Sequence, residues 1–369
     1  MPETDTVPVP PRGPAPRDSA GPVVGPDELD LALIEALQLR PHASWTLIGS
    51  VIGVDATTAA RRWRRLTDSG TAWMTAYPAQ HVSVVAYVDL ECEAGAVDAL
   101  TRLLCSWPPV FSVERTTGRS QLFLSVAARD LPSLDDLVTR RLGGLDGVRS
   151  SRVSVSTKVY QEGSGWLLGT LDEQQRAALG GADRHDRTRP GPGPYESDRA
   201  LLLALGADAR RGHAELARDG GMSDTTVRRR IGRMVSRGEV RFRCDLAQHL
   251  AGWPVVATYR VTTSGPGAES TARALAALPR TRLCSAVTGR DNLLLSVWLR
   301  STDDCRDLEE RVLGRHPGLR IGERDITLHT AKRMGRLLDR WGRAGAHVPI
   351  AMATEGAAGV TTVRPPGRS

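Results

Sequence analysis

The sequence predicts an α+β chain built as two tandem units, each a three-helix segment with a β-wing followed by a ferredoxin-like βαββαβ domain. Three observations predict it. Two stretches of about 140 to 150 residues repeat each other. Each opens with apolar residues at helical spacing, stopped by a glycine. Each then continues with short alternating stretches in the order βαββαβ. The 369 residues are also too many for one ordinary domain of roughly 100–200 residues.

The repeat is read by shifting the chain 168 positions. DLALIEAL (Asp30 to Leu37) lands on DRALLLAL (Asp198 to Leu205), and TTAARRWRRLTDSG (Thr57 to Gly70) on TTVRRRIGRMVSRG (Thr225 to Gly238), without a gap. Six residues match in that second pair: Thr57/Thr225, Thr58/Thr226, Arg61/Arg229, Arg62/Arg230, Arg65/Arg233 and Gly70/Gly238. AQH (79–81) matches AQH (247–249). Three residues are then inserted, after which VVA (84–86) matches 255–257 and TGR (117–119) matches 288–290.

In the first unit Asp27 caps a helix whose apolar face is Leu29, Leu33, Ile34 and Leu37. A short helix over Trp45 to Ile52 follows. Asp55 caps a third helix, Ala56 to Ser69, ended by Gly70. The second unit repeats this with Leu201 to Leu205, Ala214 to Arg218, a Ser223 cap and Gly238. GEVRFRCDL then alternates, Val240, Phe242 and Cys244 on one face and Arg241 and Arg243 on the other, as a small wing would. Strands are expected over Val82–Leu90, Val110–Arg115, Gln121–Ala127 and Val148–Val159, and helices over Ala96–Ser106 and Leu134–Leu142. The second βαββαβ runs from Val255 to about Thr330.

The expected boundaries are a Pro-rich disordered tail (1–26), a first winged helix-turn-helix (27–80), a βαββαβ domain (81–169), a linker (170–194), a second winged helix-turn-helix (195–249), a second βαββαβ domain (250–343) and a flexible tail (344–369). The Pro-rich start lacks the apolar core of a secretory signal. The longest uncharged stretch, 71–88, contains Pro78, Gln80 and His81 and reads as strand-turn-strand, so no membrane association is expected. Five cysteines without CxxC or paired Cys/His spacing predict neither a disulfide framework nor a metal site, and place the protein in a reducing cytoplasm.

Net charge is +7, from 49 basic against 42 acidic residues. Arginine is plentiful throughout, so only clustering is informative. On the third helix Ala59, Trp63 and Leu66 face inward, and Thr58, Arg61, Arg62 and Arg65 share the outer face. In the second copy Val227, Ile231 and Met234 face inward, and Thr226, Arg229, Arg230 and Arg233 outward. The matching residues are mainly the outward ones, as expected of recognition helices: a major groove admits one helix, and arginines reach guanine edges or phosphates. Expected DNA contacts are Thr57, Thr58, Arg61, Arg62, Arg65, Thr225, Thr226, Arg228, Arg229, Arg230 and Arg233, with double-stranded DNA as partner. Ala60 opposes Arg228 and Arg64 opposes Gly232, so the two half-sites need not be identical.

These features resemble the Lrp/AsnC (feast/famine) transcription regulators: the opening LDLALIEAL and SDRALLLAL, the TTxxRRxxR helix ended by glycine, and a TG turn before a strand. The resemblance covers both units and implies a tandem-duplicated form with AsnC-type (RAM) regulatory domains. It implies pairing of those domains as a pseudo-dimer within the chain, further homo-oligomeric association, and a small effector such as an amino acid at the TG turns. Carried over, the effector residues are Gly118, Arg119 and Gln121, and Gly289, Arg290, Asp291 and Asn292. The acidic position of the family's turn reads Gln121 and Asn292 here.

No phosphate-cradling, zinc-protease or nucleophile-elbow motif occurs in a fitting context, and no cofactor is expected. Asp135/Asp136 and Glu309/Glu310 are helix neighbours that diverge, so neither forms an acid/base pair. Trp107 and Trp298 are the tryptophans that could line a cleft. The alternative function is a sirohaem-decarboxylase-like tetrapyrrole enzyme on the same fold. As implied by that resemblance, it would use a His/Tyr-bearing strand, and FSVERTTG and LCSAVTG carry neither residue. The protein is therefore expected not to be an enzyme.

Overall fold

The computed structural model describes residues 25–79, 83–180 and 198–354. The first unit contains α1 (Glu28–Leu39), α2 (Trp45–Ile52), α3 (Ala56–Asp68), β1 (Ala72–Pro78), β2 (Val84–Cys92), α4 (Val97–Cys105), β3 (Val110–Thr116), β4 (Leu122–Ala128), α5 (Leu131–Asp135, running on as a π-helical segment Asp136–Leu142), β5 (Val148–Gln161) and α6 (Glu173–Ala178). The second contains α7 (Arg199–Ala207), α8 (His213–Asp219), α9 (Asp224–Ser236), β6 (Val240–Leu246), β7 (Val255–Thr263), α10 (Ala268–Ala276), β8 (Thr281–Val287), β9 (Leu293–Leu299), α11 (Asp303–Arg311), β10 (Leu319–Arg333), β11 (Arg336–Leu338) and β12 (Ala344–His347). The duplication read from the sequence is therefore a duplication of elements: α3 and α9 keep the 168-residue offset.

The helices begin and end for local reasons. Asp27 and Asp30 form a capping box at α1, and Asp55 and Ser223 cap α3 and α9. Gly70 and Gly238 follow those two helices with φ of 69° and 63°, a conformation that favours glycine. Ala59, Trp63 and Leu66, and Val227, Ile231 and Met234, are buried. Both three-helix segments share one apolar core.

The strand read as a wing does something else. β1 and β6 pair with each other, antiparallel over their full lengths, from Ala72 opposite Leu246 to Pro78 opposite Val240. Helices α3 and α9 are thus each followed by one strand that crosses to the other unit. Helix α1 packs on β6 and α7 on β1. This removes the solvent face assumed for GEVRFRCDL: Arg241, Phe242 and Arg243 are half-buried, and Arg243 pairs with the fully buried Asp245.

The strands of the two βαββαβ domains form two four-stranded sheets, β3-β4-β2-β5 and β8-β9-β7-β10. Both last strands are shared. β5 pairs with β2 up to Val155 and then with β8 from Ser156 to Gln161. β10 pairs with β7 up to Ile326 and then with β3 from Thr327 to Lys332. The eight strands thereby close into a ring. Apolar cores lie under the outer helices of each sheet, and a smaller one, with Val85, Tyr87, Phe123, Val287 and Leu294, lies between the sheets.

Two segments expected to be flexible are ordered where described. In 170–180, read as the start of the linker, Leu171 and Leu179 are buried in the helical core together with Trp166. The cause is Glu35, fully buried on α1, whose carboxylate needs donors. It accepts from Thr170 Oγ1 (2.7 Å) and Leu171 N (2.9 Å), and pairs with Arg176 (3.1 Å). Residues 344–354, read as tail, form β12 and a strap whose Ala353 bridges Ala128 of β4. Residues 1–24, 181–197 and 355–369, on which the remaining tail and linker expectations fall, lie outside the described residues. Among the described residues no helix is long and apolar enough to cross a membrane. All five cysteines are free and buried.

Candidate DNA-binding helices, the inter-unit contacts and the cavity between the sheets

The matched arginines of α3 and α9 divide into two kinds. Arg62 reaches back to α1, donating to Asp27 (2.7 Å) and Asp30 (2.9 Å), and Arg65 donates to Asp30 (2.7 Å). Asp30 is only 2% exposed. The second copy repeats this on α7: Arg230 and Arg233 both pair with the fully buried Asp198. Burying a carboxylate without a partner is costly, so each aspartate requires its arginines. Ion pairing with Asp27 and Asp30 raises the Arg62 pKa above its ordinary value. Thr58 and Thr226 also have local roles, in the caps made by Asp55 and Ser223. Identity at these positions is thus explained within the fold. It is not explained at Thr57/Thr225 or Arg61/Arg229, which are exposed; neither arginine has a hydrogen bond or ion pair among the described residues. Arg64 and Arg228 lie exposed beside them, Arg228 paired to Asp224 one turn back (3.2 Å).

The TG turns clasp one unit to the other. Thr117 donates its N–H to Ile326 O and accepts from Ile326 N, both at 2.9 Å. Thr288 does the same with Val155 O and Val155 N, both at 2.9 Å. Gly118 has φ of 87°, and a Cβ there would run into Asp325. The residues at the expected acidic position tie the turns to strand ends: Gln121 accepts from Cys92 N (2.7 Å) and Asn292 from Thr263 N (2.8 Å). Arg119 pairs with Glu91, and Asp291 accepts from Thr262 (3.2 Å). Arg290 is exposed.

Where the units meet, equivalent positions carry opposite charges. Asp89 of β2 and Arg260 of β7 occupy the same place in the repeat, and they form a buried ion pair. Arg152 of β5 and Glu323 of β10 are likewise equivalent and are joined by two hydrogen bonds, one of 2.9 Å. Asp89 also accepts from Arg152 (3.2 Å), and Arg260 donates to Asp325 (2.9 Å). Burial pushes the Asp89 carboxyl up, and the two guanidiniums pull against it.

A cavity of about 420 Å³ lies between the sheets, bounded also by β1, α7 and the strap 350–354. The two copies fill it unequally. Ala127 of β4, a small side chain, lines it where the equivalent position on β9 carries Trp298. Phe111 of β3 is replaced by Arg282 on β8. The Arg282 guanidinium sits 4.0 Å from the Trp298 ring centre and 4.5 Å from that of Trp166, and donates to Asp245 (2.7 Å). Arg243 shares Asp245 and faces Glu162, and its guanidinium lies where a Cβ on Gly163 would sit. Glu162 accepts from Tyr77 (2.7 Å). Burial pulls Arg282 down to about 9, pushes Glu114 up, and lowers His347 to about 4, so the imidazole is neutral near pH 7. Burial also holds the Tyr77 and Tyr87 phenols protonated.

Trp298 thus lines a cleft, while Trp107 is buried in the first unit's core, its carbonyl accepting from Lys332 (2.9 Å). Sequence reasoning missed Arg243, Arg282, Arg333, Tyr77 and His347. A usable signal was present: inward strand positions differ in size and charge between the copies.

Comparison with known proteins agrees with this duplication. The model of the Lrp/AsnC ligand binding domain matches residues 85–166 and 256–337, and that of the AsnC-type helix-turn-helix domain matches 27–67 and 196–235. An HTH-type transcriptional regulator of Pyrococcus abyssi is 28% identical over 142 residues, 37% of this chain and 89% of its own length. One of Pyrococcus furiosus is 31% identical over 144 residues, 38% of this chain and 95% of its own. Each relative corresponds to one unit. The crystal structure of the sirohaem decarboxylase NirDL superposes over both units, covering 84% of this chain and 93% of that one, with a TM-score of 0.54 at 12% identity, a likeness of fold. With both domain types matched twice along one chain, the protein is a tandem-duplicated member of the Lrp/AsnC family.

Proposed function

We propose that the protein is a sequence-specific DNA-binding transcription regulator whose helices α3 and α9 enter the major groove. The observation that carries the reading is the exposed remainder of the repeat. Arg61/Arg229 and Thr57/Thr225 are identical in both copies, outward-facing and unexplained by any intramolecular contact. Arg61 and Arg229, with Arg64 on one helix and Arg228 on the other, are the contacts to DNA. Arg62, Arg65, Arg230 and Arg233 act first by fixing each recognition helix to α1 or α7, and Thr58 and Thr226 by capping. Half-sites of unequal sequence follow from Ala60 opposite Arg228 and Arg64 opposite Gly232. An effector at the TG turns would act on the clasp between the units.

The test is enrichment of genomic fragments by the purified full chain. A recurring sequence with two related, non-identical half-sites is expected. Recovery of no sequence above background at low salt removes the reading, and a perfect palindrome with equal half-site affinities removes the asymmetry.

One observation favours a second reading, a tetrapyrrole decarboxylase: the fold shared with NirDL over both units, together with a central cavity. That reading requires a coloured tetrapyrrole to accompany the purified protein. The DNA-binding reading requires a colourless one.

A further inference from the structure

We propose that the cavity between the two sheets binds an organic anion, a single acidic group on an apolar or aromatic body. The space is of small-molecule size: about 420 Å³, within the roughly 300–1,000 Å³ of ordinary ligand sites. Its lining differs between the copies, with Trp298 on the second unit's side and Ala127 at the equivalent place on the first. Phe111, Phe123, Tyr87 and Leu202 give it apolar walls.

The acidic group is called for by Arg282. This side chain is 95% buried. Its guanidinium is held between two tryptophan rings, and one nitrogen is used on Asp245. The other terminal nitrogen, Nη1, is buried with no hydrogen-bond partner among the described residues. A buried guanidinium donor facing an apolar space is matched by a carboxylate, sulfonate or phosphate oxygen arriving from outside. The neighbouring charges favour the same sign. Five arginines line the cavity (Arg129, Arg199, Arg243, Arg282 and Arg333) against Glu114 and Glu162, with Asp245 behind them. Arg129, Arg243 and Arg333 are engaged by Asp130, Asp245 and Gln248 (2.9 Å), whereas Nη1 of Arg282 is a terminal guanidinium nitrogen of the lining that is buried without a hydrogen-bond partner among the described residues. The strap carrying His347, Ile350 and Met352 forms a further wall.

Binding stands apart from the DNA-binding reading. Only a regulatory consequence, transmitted through Leu202 and Leu203 of α7, would rest on it.

The experiment titrates the full chain with anilinonaphthalene sulfonate, an aromatic anion that fluoresces in apolar surroundings, and with its uncharged parent phenyl-naphthylamine. Saturable one-to-one binding of the sulfonate is expected, at least about tenfold tighter than the parent. Ala127→Trp, which places in the first copy the residue the second already carries, should weaken sulfonate binding by at least about tenfold with the melting temperature retained. Arg282→Gln should remove the preference for the charged probe. Should Arg282→Gln not fold, Ala127→Trp and the uncharged probe still decide. The proposal is overturned by an absence of saturable sulfonate binding, by equal binding to wild type and Ala127→Trp, or by equal affinity for the charged and uncharged probes. DNA binding is measured separately on the same proteins, so failure of either claim is seen on its own.

Discussion

The two copies of the unit are alike where each folds and opposite where they meet. Asp30 with Arg62 and Arg65, and Asp198 with Arg230 and Arg233, are the same device made twice. At the junction, Asp89 faces Arg260 and Arg152 faces Glu323, each residue opposite its own equivalent. In a pairing of two identical units those positions would set aspartate against aspartate and arginine against arginine, in a place where Asp89 and Arg260 are buried. Fusion relieves that constraint, because each copy meets a partner of different sequence. Ala127 and Trp298, which occupy equivalent places and both line the cavity, are a second difference of the same kind.

The largest expected effect tests the opposite charges. Asp89→Arg should destabilise the chain by about 3–5 kcal/mol, the usual cost of a broken buried pair. Adding Arg260→Asp should recover more than half of it in a double-mutant cycle read by thermal or denaturant unfolding. Additive losses would show that the pair does not specify how the units join.

Next come the like positions. Arg62→Ala with Arg230→Ala leaves both buried aspartates short of a partner and should cost about 2–4 kcal/mol in unfolding measurements. The exposed pair Arg61→Ala with Arg229→Ala should cost no more than about 0.5 kcal/mol. Equal costs for the two double variants would erase the distinction between them.

A smaller effect concerns the clasp. Thr117→Val removes the hydroxyl that accepts from Ile326 N and should cost about 1 kcal/mol, with faster hydrogen exchange at Ile326. Thr288→Val should act likewise at Val155. Unchanged exchange at both amides would argue against a clasp.

The smallest is a pH effect. Burial lowers Lys332 to about 8. The folded state therefore loses this proton before the unfolded chain does. Its contribution to stability is unfavourable below pH 8 and is relieved as pH rises from there towards the ordinary lysine value. The stability difference between wild type and Lys332→Met should change across that window; a constant difference would mean that Lys332 titrates normally.

Much of this was legible in the sequence. The fixed 168-residue offset, the caps Asp27, Asp55 and Ser223, and the stops Gly70 and Gly238 are local signals, and the elements they delimit are those observed. What a strand or charge faces across the molecule was not. GEVRFRCDL alternates as a wing would, yet its partner is β1 of the other unit. Arg62 and Arg65 appeared as an outer-face cluster because helical periodicity separates inward from outward positions but cannot see Asp30, 32 and 35 residues away in sequence. The cavity was hidden for the same reason, since its lining is assembled from strands of both units.

The most direct test of the central claim is the salt dependence of DNA affinity, measured by anisotropy on a fragment selected by the wild-type chain. For Arg61→Ala with Arg229→Ala the account predicts a fold as stable as wild type, affinity at least about tenfold weaker, and a log–log salt slope smaller by about two, one for each lost phosphate contact. An affinity and slope equal to wild type would contradict it.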